Sequence, residues 1–424
     1  MAKWKNYLKD NIIGTVFIFV LLAGIFWVSQ RPFLDAMDPI GAAISDMELT
    51  DLVFNNLRDD PEIDTNIVVV NIGLIPRGMI GMQLDIINKY EPAVVGFDFD
   101  FLYENTEDPE GDSILAQAIA NTENLVIMCK LMQTDSLQEA NPGADIYDTV
   151  SYTIPKLSQN AIFGFANLQT EAVKQEDFKA CRLFPPQREV KGKTINAFAL
   201  EMAKQFDEKA ANEFIKREKD WEVINYSGNV VDFYATTNYP TSYFALDWMQ
   251  VLNEDFDESL IKDKIVIFGY LGKNFGDTSW DDKFFTPLNK NFAGKTNPDM
   301  YGVVIHANIV SMILRGDYIN TLGEGANYLI GILVCFLNVM FFSWIYRRLP
   351  RWYDGLTKLI QIFELMIMLF IVVMVFHFFS LKLEITIAFA VTAVVGDGLE
   401  VYFGVFKNLF RKETRKQLFT INRD

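Results

Sequence analysis

Four long apolar runs constrain this chain more than any other feature of its sequence. The first, residues 11–28, contains no charged residue and would extend about 27 Å as a helix. Because the hydrocarbon core of a bilayer is about 30 Å thick, a run of this length predicts a membrane-spanning helix. Three further apolar runs, at 327–346, 359–379 and 385–406, follow near the C-terminus. The sequence therefore predicts an all-α transmembrane region of four helices.

The first run is typical of an uncleaved anchor. Lys3, Lys5 and Lys9 precede it, as basic residues precede both signal peptides and signal anchors. The residues that follow, SQRPFLDAMD, contain no small-x-small cleavage site. We therefore expect residues 11–29 to form a transmembrane helix.

Basic residues indicate the orientation of the chain in the membrane. They are concentrated in the loop 347–358 and in the tail 407–424, whereas the link between the last two runs is nearly neutral. The positive-inside rule then places the N-terminus (1–10), this loop and the tail in the cytoplasm. The large segment 31–325 is predicted to lie outside the cytoplasm.

The charge of that segment excludes one class of partner. Of the net charge of −17, the first thirty residues hold +2 and residues 326–424 hold +4, which leaves −23 for residues 31–325. A domain this acidic repels phosphate backbones, so we expect no nucleic acid partner.

The segment 31–325 alternates short apolar runs with helical stretches. Strands are predicted at 67–73, 94–101 and 125–131, with helices between them at 79–90 and 112–121. This order predicts an α/β fold with a mainly parallel sheet flanked by helices. Later segments extend the pattern, and we expect these to be 164–169, 196–219, 221–228, 264–272 and 304–315.

Several segments together resemble a known family of sensory domains. They are ELTDLVFNNLRD (48–59), IVVVNIGLIPR (67–77), VVGFDFDF (94–101), DTSWDDKFFTPL (277–288) and YGVVIHANIVSMIL (301–314). With the flanking helices, they resemble the CHASE domain, type 2, which is an extracytoplasmic sensory domain of bacterial cyclases and kinases. The most specific pieces are Thr286-Pro287-Leu288 and the segment 302–314. The resemblance implies a bacterial inner (cytoplasmic) membrane protein whose large domain lies in the periplasm or outside the cell.

The sequence departs from that family in two places. The stretch after the first strand is shortened to GLIPR, and 18 residues follow Phe406. A segment of 18 residues is too short to fold as a kinase or cyclase domain. We therefore expect the output to lie in a separate partner chain.

Acidic residues after two strands are the candidate ligand site. Asp98 and Asp100 end one predicted strand, and Asp277, Asp281 and Asp282 follow another. Ligands bind at the carboxyl ends of parallel strands, and paired carboxylates suit Mg²⁺ or Ca²⁺. The alternative is that these residues cap loops or are solvated, and the identity of any metal stays open.

Other chemistry-bearing residues have structural interpretations. His306 stands in an apolar helical stretch, which favours a satisfied structural histidine over a ligand. Cys129 and Cys181 have no metal or redox spacing, so two free thiols are favoured over a disulfide. GYLGKNFGD (269–277) lacks the GxGxxG spacing and is interpreted as a mobile loop rather than a phosphate cradle.

Ionisable residues also occur within the predicted transmembrane helices. They are Glu364, Asp397 and Glu400. Intramembrane acids are functional candidates, and Gly396 and Gly398 beside Asp397 permit close helix approach. We expect Asp397 to serve either an assembly contact with a partner helix or a proton or ion role, and Glu364 and Glu400 to snorkel.

Two functions fit these features. One is a sensory or ligand-binding membrane protein that relays its state to a cytoplasmic effector in another chain. The alternative is a non-catalytic structural or accessory subunit of a bacterial cell-envelope complex, with other membrane or envelope proteins as partners. A homo-oligomer is compatible with both. No catalytic motif is present, which disfavours an extracytoplasmic metal-dependent enzyme and predicts no catalytic residue and no cofactor beyond Mg²⁺ or Ca²⁺.

Overall fold

The computed structural model divides the polypeptide into two units. It describes residues 2–29, 49–58, 62–140, 145–168, 180–230, 241–289 and 297–407. One unit, here called the central unit, is Phe54–Ile319. The other, here called the helical unit, combines Met1–Val53 with Asn320–Asp424.

The N-terminal part of the chain is helical. Helix α1 covers Ala2–Ser29, and the short helix α2 covers Leu49–Asn56. The window Tyr7–Trp27 of α1 is long and apolar enough to cross a membrane.

The central unit begins with the alternation that the sequence predicts. Its first elements are β1 (Ile67–Asn71), α3 (Arg77–Asn88), β2 (Val94–Phe97), α4 (Pro109–Ala120) and β3 (Leu125–Met132). The β-α-β-α-β order is confirmed. Strand β2 is shorter than predicted, since it ends at Phe97.

The second half of the central unit contains shorter elements. They are α5 (Asp135–Ala140), β4 (Thr149–Ser151), β5 (Ile162–Phe165), β6 (Leu183–Phe184), β7 (Gln187–Val190), β8 (Lys193–Asn196), α6 (Phe198–Phe206), α7 (Glu208–Ile215), β9 (Glu222–Val223), β10 (Asn229–Val230), β11 (Thr241–Leu246), α8 (Trp248–Leu252), β12 (Ile265–Gly269), β13 (Lys283–Phe284), β14 (Met300–Tyr301) and α9 (Gly302–Arg315).

The main sheet is largely parallel. Its order is β10-β11-β1-β12-β2-β3, and both β4 and β5 pair with β3. Only β4 runs antiparallel among these described pairs. Strand β12 lies between β1 and β2, in a register that pairs Val266 with Val68 and with Val95. A strand from late in the sequence thus occupies the centre of the sheet.

Both faces of the sheet are covered. On one face, Leu84 and Ile87 of α3 and Leu115 of α4 belong to the same core cluster as Val68 and Phe268. The opposite face contacts helices α6 and α9. Fully buried apolar strands of this kind are typical of parallel sheets covered on both sides.

Glycines allow the second layer of helices to approach the sheet. A Cβ built on Gly96 would lie 2.3 Å from the sulfur of Met202 in α6, and one built on Gly269 would lie 2.5 Å from Val303 in α9. Such contacts are far inside van der Waals distance. A larger residue at Gly269 would meet the Cβ of Val303 and displace α9, whereas one at Gly96 would require the flexible side chain of Met202 to move.

Three segments of the central unit differ from the sequence prediction. The predicted helix 196–219 is two helices, because Asp207 ends α6 and accepts a hydrogen bond from the backbone N–H of Ala210 as the N-cap of α7. The predicted strand 221–228 is reduced to β9, which pairs antiparallel with β6 outside the main sheet. Strand β11, in contrast, was not predicted and adjoins β1.

The two cysteines of the central unit are free and buried. Burial raises the pKa of the Cys129 thiol and of the Cys181 thiol to about 12. These thiols are therefore unreactive apolar side chains, as the sequence analysis favoured.

Three further apolar helices close the chain. They are α10 (Glu324–Arg348), α11 (Tyr353–Phe379) and α12 (Thr386–Val401), and α12 continues as a π-helix over Tyr402–Phe406. The short strands β15 (Asn320–Thr321) and β16 (Leu381–Lys382) pair beside them. All three helices have the length and hydropathy needed to cross a membrane, so the described chain holds four such helices with α1.

Candidate functional site

Polar side chains gather where the parallel strands of the main sheet end. Asn71 is the last residue of β1, Asp98 follows β2, and Asp247 follows β11. We call this border the carboxyl edge. Open parallel sheets bind their ligands there, because loops diverge at this border and leave a crevice.

Asn71 holds the loops of the carboxyl edge together. Its side-chain N–H groups donate to the carboxylate of Asp247 at 2.8 Å and to the carbonyl of Gly272 at 3.1 Å. Its side-chain oxygen accepts from the N–H groups of Gly73 at 3.0 Å and Leu271 at 2.9 Å. Since the side chain is fully buried and completely paired, it fixes the loop after β12 against β1.

Asp98 and His306 form a buried pair at this edge. Nε2 of His306, in α9, lies 3.7 Å from Oδ1 of Asp98, and the two side chains are 5% and 9% exposed. The imidazole meets the ring of Phe198 edge-on, with centroids 5.3 Å apart. Its Nδ1 has no hydrogen-bond partner of ordinary geometry among the described residues, while the ring also interacts with the backbone of Ala166. The interpretation of His306 as a structural histidine stays a prediction.

Burial disfavours the charged form of both members of this pair. It lowers the pKa of His306 to about 3, against a smaller opposing effect from the backbone of Ala166. Burial also raises the pKa of Asp98 well above its ordinary value; the charge of Asp282 raises it further and that of Lys130 lowers it. A separation of 3.7 Å is too long for a strong charge-assisted hydrogen bond, so the contact between the two side chains does little to offset the cost of ionising both groups.

Asp282 is the second acid that acts on Asp98. It lies in the turn before β13 with φ of +55°, and its carboxylate oxygens would be 3.3 and 3.4 Å from a Cβ on Gly302, at the first turn of α9. Surrounding protein atoms raise the pKa of Asp282, although the residue stays open to water on one side and screening reduces the effect.

Asp100 and Lys130 complete this group of charges. Nζ of Lys130 lies 3.8 Å from Oδ2 of Asp100, and this oxygen is buried without a hydrogen-bond partner in the described chain. The candidates Asp98 and Asp100 therefore share the influence of one lysine, which the sequence analysis did not identify.

The other two predicted acids have different surroundings. Asp277 accepts hydrogen bonds from the backbone N–H groups of Lys273 at 3.0 Å and Ser279 at 2.9 Å, which lower its pKa. The carboxylate of Asp277 thus stabilises the turn between Lys273 and Ser279. Asp281 is exposed. The charge that raises the pKa of Asp98 belongs to the neighbouring residue, Asp282.

No described group of three or more His, Cys, Asp or Glu side chains is arranged to hold a metal ion. The Mg²⁺ or Ca²⁺ site stays a prediction.

Asp299 is a buried acid that no local sequence signal identified. Its carboxylate accepts hydrogen bonds from the N–H of Thr286 at 2.8 Å, from the hydroxyl of Thr286 at 2.5 Å and from the amide of Asn289 at 3.2 Å. Burial raises the pKa of Asp299 to about 7 in spite of these donors. Thr286 begins the Thr-Pro-Leu run, so the role of that run here is to hold Asp299.

A cavity of about 240 Å³ lies beside Asp299 and the glycine-containing loop 269–277. Aromatic and charged side chains share its wall, among them Trp280, Lys283 and Tyr301. Nζ of Lys283 lies 4.7 Å above the ring of Tyr301 and donates to the carbonyl of Asp277 at 2.9 Å. A wall of this mixed character suits a small molecule with both apolar and polar parts.

The acidic residues of the closing helices differ in their surroundings. Asp397 forms an ion pair with Lys358 of the same chain, and Glu400 is exposed. The pairing with Lys358 supplies a donor without another chain, and the assembly role of Asp397 stays a prediction. Glu364 is half-buried, and its Oε2 has no hydrogen-bond partner among the described residues.

Comparison with known proteins identifies one relationship. The family model described as the CHASE2 domain matches residues 18–342. No curated protein and no solved structure matches the chain. The matched range includes the whole central unit, with the carboxyl edge and Asp299, and extends into α1 and α10.

Proposed function

Because the chain belongs to the CHASE2 family of extracytoplasmic sensory domains, we propose that it is a membrane-anchored sensory protein. Its central unit binds a ligand outside the cytoplasm, and its helices relay the bound state to a separate partner chain. The observation that carries this proposal is the family match over residues 18–342, which covers every described residue of the central unit.

The proposed orientation places both termini in the cytoplasm and residues 31–325 in the periplasm or outside the cell. Four helices of sufficient length and hydropathy support a multi-pass protein of a bacterial inner membrane. The basic loop 347–358 and the basic tail support this orientation over the inverse one. In this arrangement α1 and α10 carry the two ends of the sensory domain into the bilayer.

The carboxyl edge is the proposed ligand-binding region. It combines the buried pair Asp98 and His306, whose charged forms are disfavoured by burial, with the acid Asp282 and with Lys130. A cation that reached Asp98 would favour its ionised form and so couple binding to proton release. We propose no catalytic role for these residues, because the chain contains no nucleophile with an adjacent base in this group.

One observation favours the alternative function, a structural or accessory subunit of a cell-envelope complex. Large apolar side chains are exposed in the segments that follow strands of the carboxyl edge, two in loops and one in α8. Leu74 follows β1 and is 70% exposed, Tyr103 follows β2 and is 72% exposed, and Met249 follows β11 and is 53% exposed. Apolar side chains grouped on one side of a domain are typical of protein-binding surfaces.

Co-purification of the full chain in mild detergent separates the two functions. A cytoplasmic kinase or cyclase that remains bound supports the sensor, whereas a stable envelope assembly supports the accessory subunit. Tyr103→Ser, with the exposed Tyr328→Ser of α10 as a matched control, shows whether the apolar loops make the contact. Isolation of the chain without any partner, in crosslinked as well as native membranes, contradicts both.

A further inference from the structure

Polar side chains meet inside the bundle formed by α10, α11 and α12. The amide of Asn338 in α10 donates to the hydroxyl of Thr392 in α12 at 3.3 Å. The amide of Gln361 in α11 donates to the carbonyls of Thr392 at 2.8 Å and Ala393 at 3.1 Å. Asn338, Gln361 and Thr392 are buried, so three helices contribute to one polar cluster within apolar surroundings.

Glu364 belongs to the same cluster. It lies three residues after Gln361 and therefore on the same face of α11. The side chain of Asn338 interacts with its carboxyl group. The second carboxyl oxygen, Oε2, is buried without a hydrogen-bond partner in the described chain.

The depth of the cluster in the membrane affects whether the carboxyl group of Glu364 carries a charge. The apolar run of α10 ends at residue 346 and that of α11 begins at residue 359, so at 1.5 Å per residue Asn338 lies about 12 Å and Glu364 about 8 Å inside these runs. Both therefore lie inside a hydrocarbon core about 30 Å thick and not at its surface. A charged carboxylate at this depth is unfavourable unless it is paired.

No cation of the described residues forms an ion pair with Glu364. Its carboxyl group is partly removed from water and lies beside the amide of Asn338. Lys358 is paired with Asp397, Arg347 with Asp10, and Lys382 with Glu384. Of the remaining acids and histidines on α11 and α12, Asp354 and His377 lie about 15 Å and 20 Å along α11 from Glu364, and Glu400 lies about 12 Å along α12 from Thr392.

We propose that Glu364 is a proton-binding site in the membrane, formed with Asn338, Gln361 and Thr392. Protonation removes the uncompensated charge and supplies a hydroxyl that donates within the cluster. The proposal rests on the membrane location of the helices given above. It differs from the role expected of Asp397, which is exposed and forms an ion pair with Lys358.

Labelling of the full chain in native membranes with a hydrophobic carbodiimide tests the proposal. The protonated carboxyl transfers its proton to a nitrogen of the reagent while its oxygen bonds to the central carbon, and an ionised carboxylate does not complete this step. We expect peptide mass mapping to locate the label on Glu364. Each pH unit above the apparent pKa of the site should reduce labelling about tenfold.

Matched variants show which residue carries the carbodiimide label. Glu364→Gln should abolish the labelling, while Glu400→Gln and Asp397→Asn should retain it. In infrared spectra, Glu364→Gln should also remove a protonated carboxyl band. Labelling absent from Glu364 at every pH, or labelling of Asp397 in its place, overturns the proposal. Alkaline extraction of the membranes is run in parallel: release of the chain contradicts the membrane location itself, whereas retention with unlabelled Glu364 contradicts only the proton site.

Discussion

Replacing Asp299 with asparagine should change how the stability of the central unit depends on pH. Burial raises the pKa of Asp299 from 3.8 to about 7. Because the native state binds this proton more tightly than the unfolded chain, the stabilisation is complete below pH 3.8 and is lost as the pH rises through about 7. A difference of about three pKa units corresponds to about 4 kcal/mol between these limits.

The variant should keep the local geometry. Its side-chain oxygen can accept from the N–H of Thr286, and its amide can donate to the Thr286 hydroxyl, which replaces the present bond of 2.5 Å. We expect the natural chain to lose about 1.4 kcal/mol of unfolding free energy per pH unit between about pH 4 and 7 through this group. Asp299→Asn should lack that contribution, so the variant should be the more stable protein above pH 7.

Hydrogen–deuterium exchange of the full chain in detergent measures this difference. Peptides that cover the buried strand β12 report the opening of the central unit, after correction for the intrinsic pH dependence of exchange. Asp277→Asn is the control of opposite sign. The lowered pKa of Asp277 gives stability above pH 3.8 that is lost as the pH falls, so that variant should be weakened at neutral pH. An unchanged pH slope in Asp299→Asn would refute the reasoning.

Three further predictions concern topology, the ligand site and assembly. Reporter fusions at residue 424 should be active only in the cytoplasmic format, since the tail is basic; an extracytoplasmic signal contradicts the proposed orientation. If the carboxyl edge binds Ca²⁺ or Mg²⁺, either ion should raise the melting temperature of the natural chain, and Asp98→Asn should remove that rise; no rise in the natural chain leaves only a structural role. Asp397→Leu should retain associations in pull-down from membranes, because Lys358 already pairs with Asp397 in the same chain. Loss of association would instead establish the assembly contact expected from the sequence.

Local sequence patterns predicted those features of the fold that depend on the residues of a single segment. The apolar runs predicted four long helices because a membrane-spanning helix must be apolar over its whole length. The alternation of buried strands with amphipathic helices predicted a largely parallel sheet, since each strand is covered on both faces. Asp98 could likewise be placed at the carboxyl edge, because it directly follows the apolar run of β2.

The neighbours of Asp98 could be obtained only from the tertiary structure. Strand β12 enters the sheet between β1 and β2 although about 170 residues separate it from β2. That insertion, together with the packing of α9, places His306 at 3.7 Å from Asp98. Hydrophobic periodicity specifies which face of an element is buried, and it contains no information about which distant element covers that face.

For the same reason, the sequence alone could not distinguish the surroundings of Asp282 from those of Asp281, or the surroundings of Glu364 from those of Asp397. Neighbouring acids in a turn look equivalent in sequence, and Asp281 and Asp282 are both exposed, yet only the carboxylate of Asp282 lies beside Gly302 and acts on Asp98. Asp397 looked like the unpaired intramembrane acid, but a lysine 39 residues away reaches it. Ionisable side chains take their chemistry from desolvation and from partners within a few ångströms, and those partners are decided by packing between elements that are distant in the sequence.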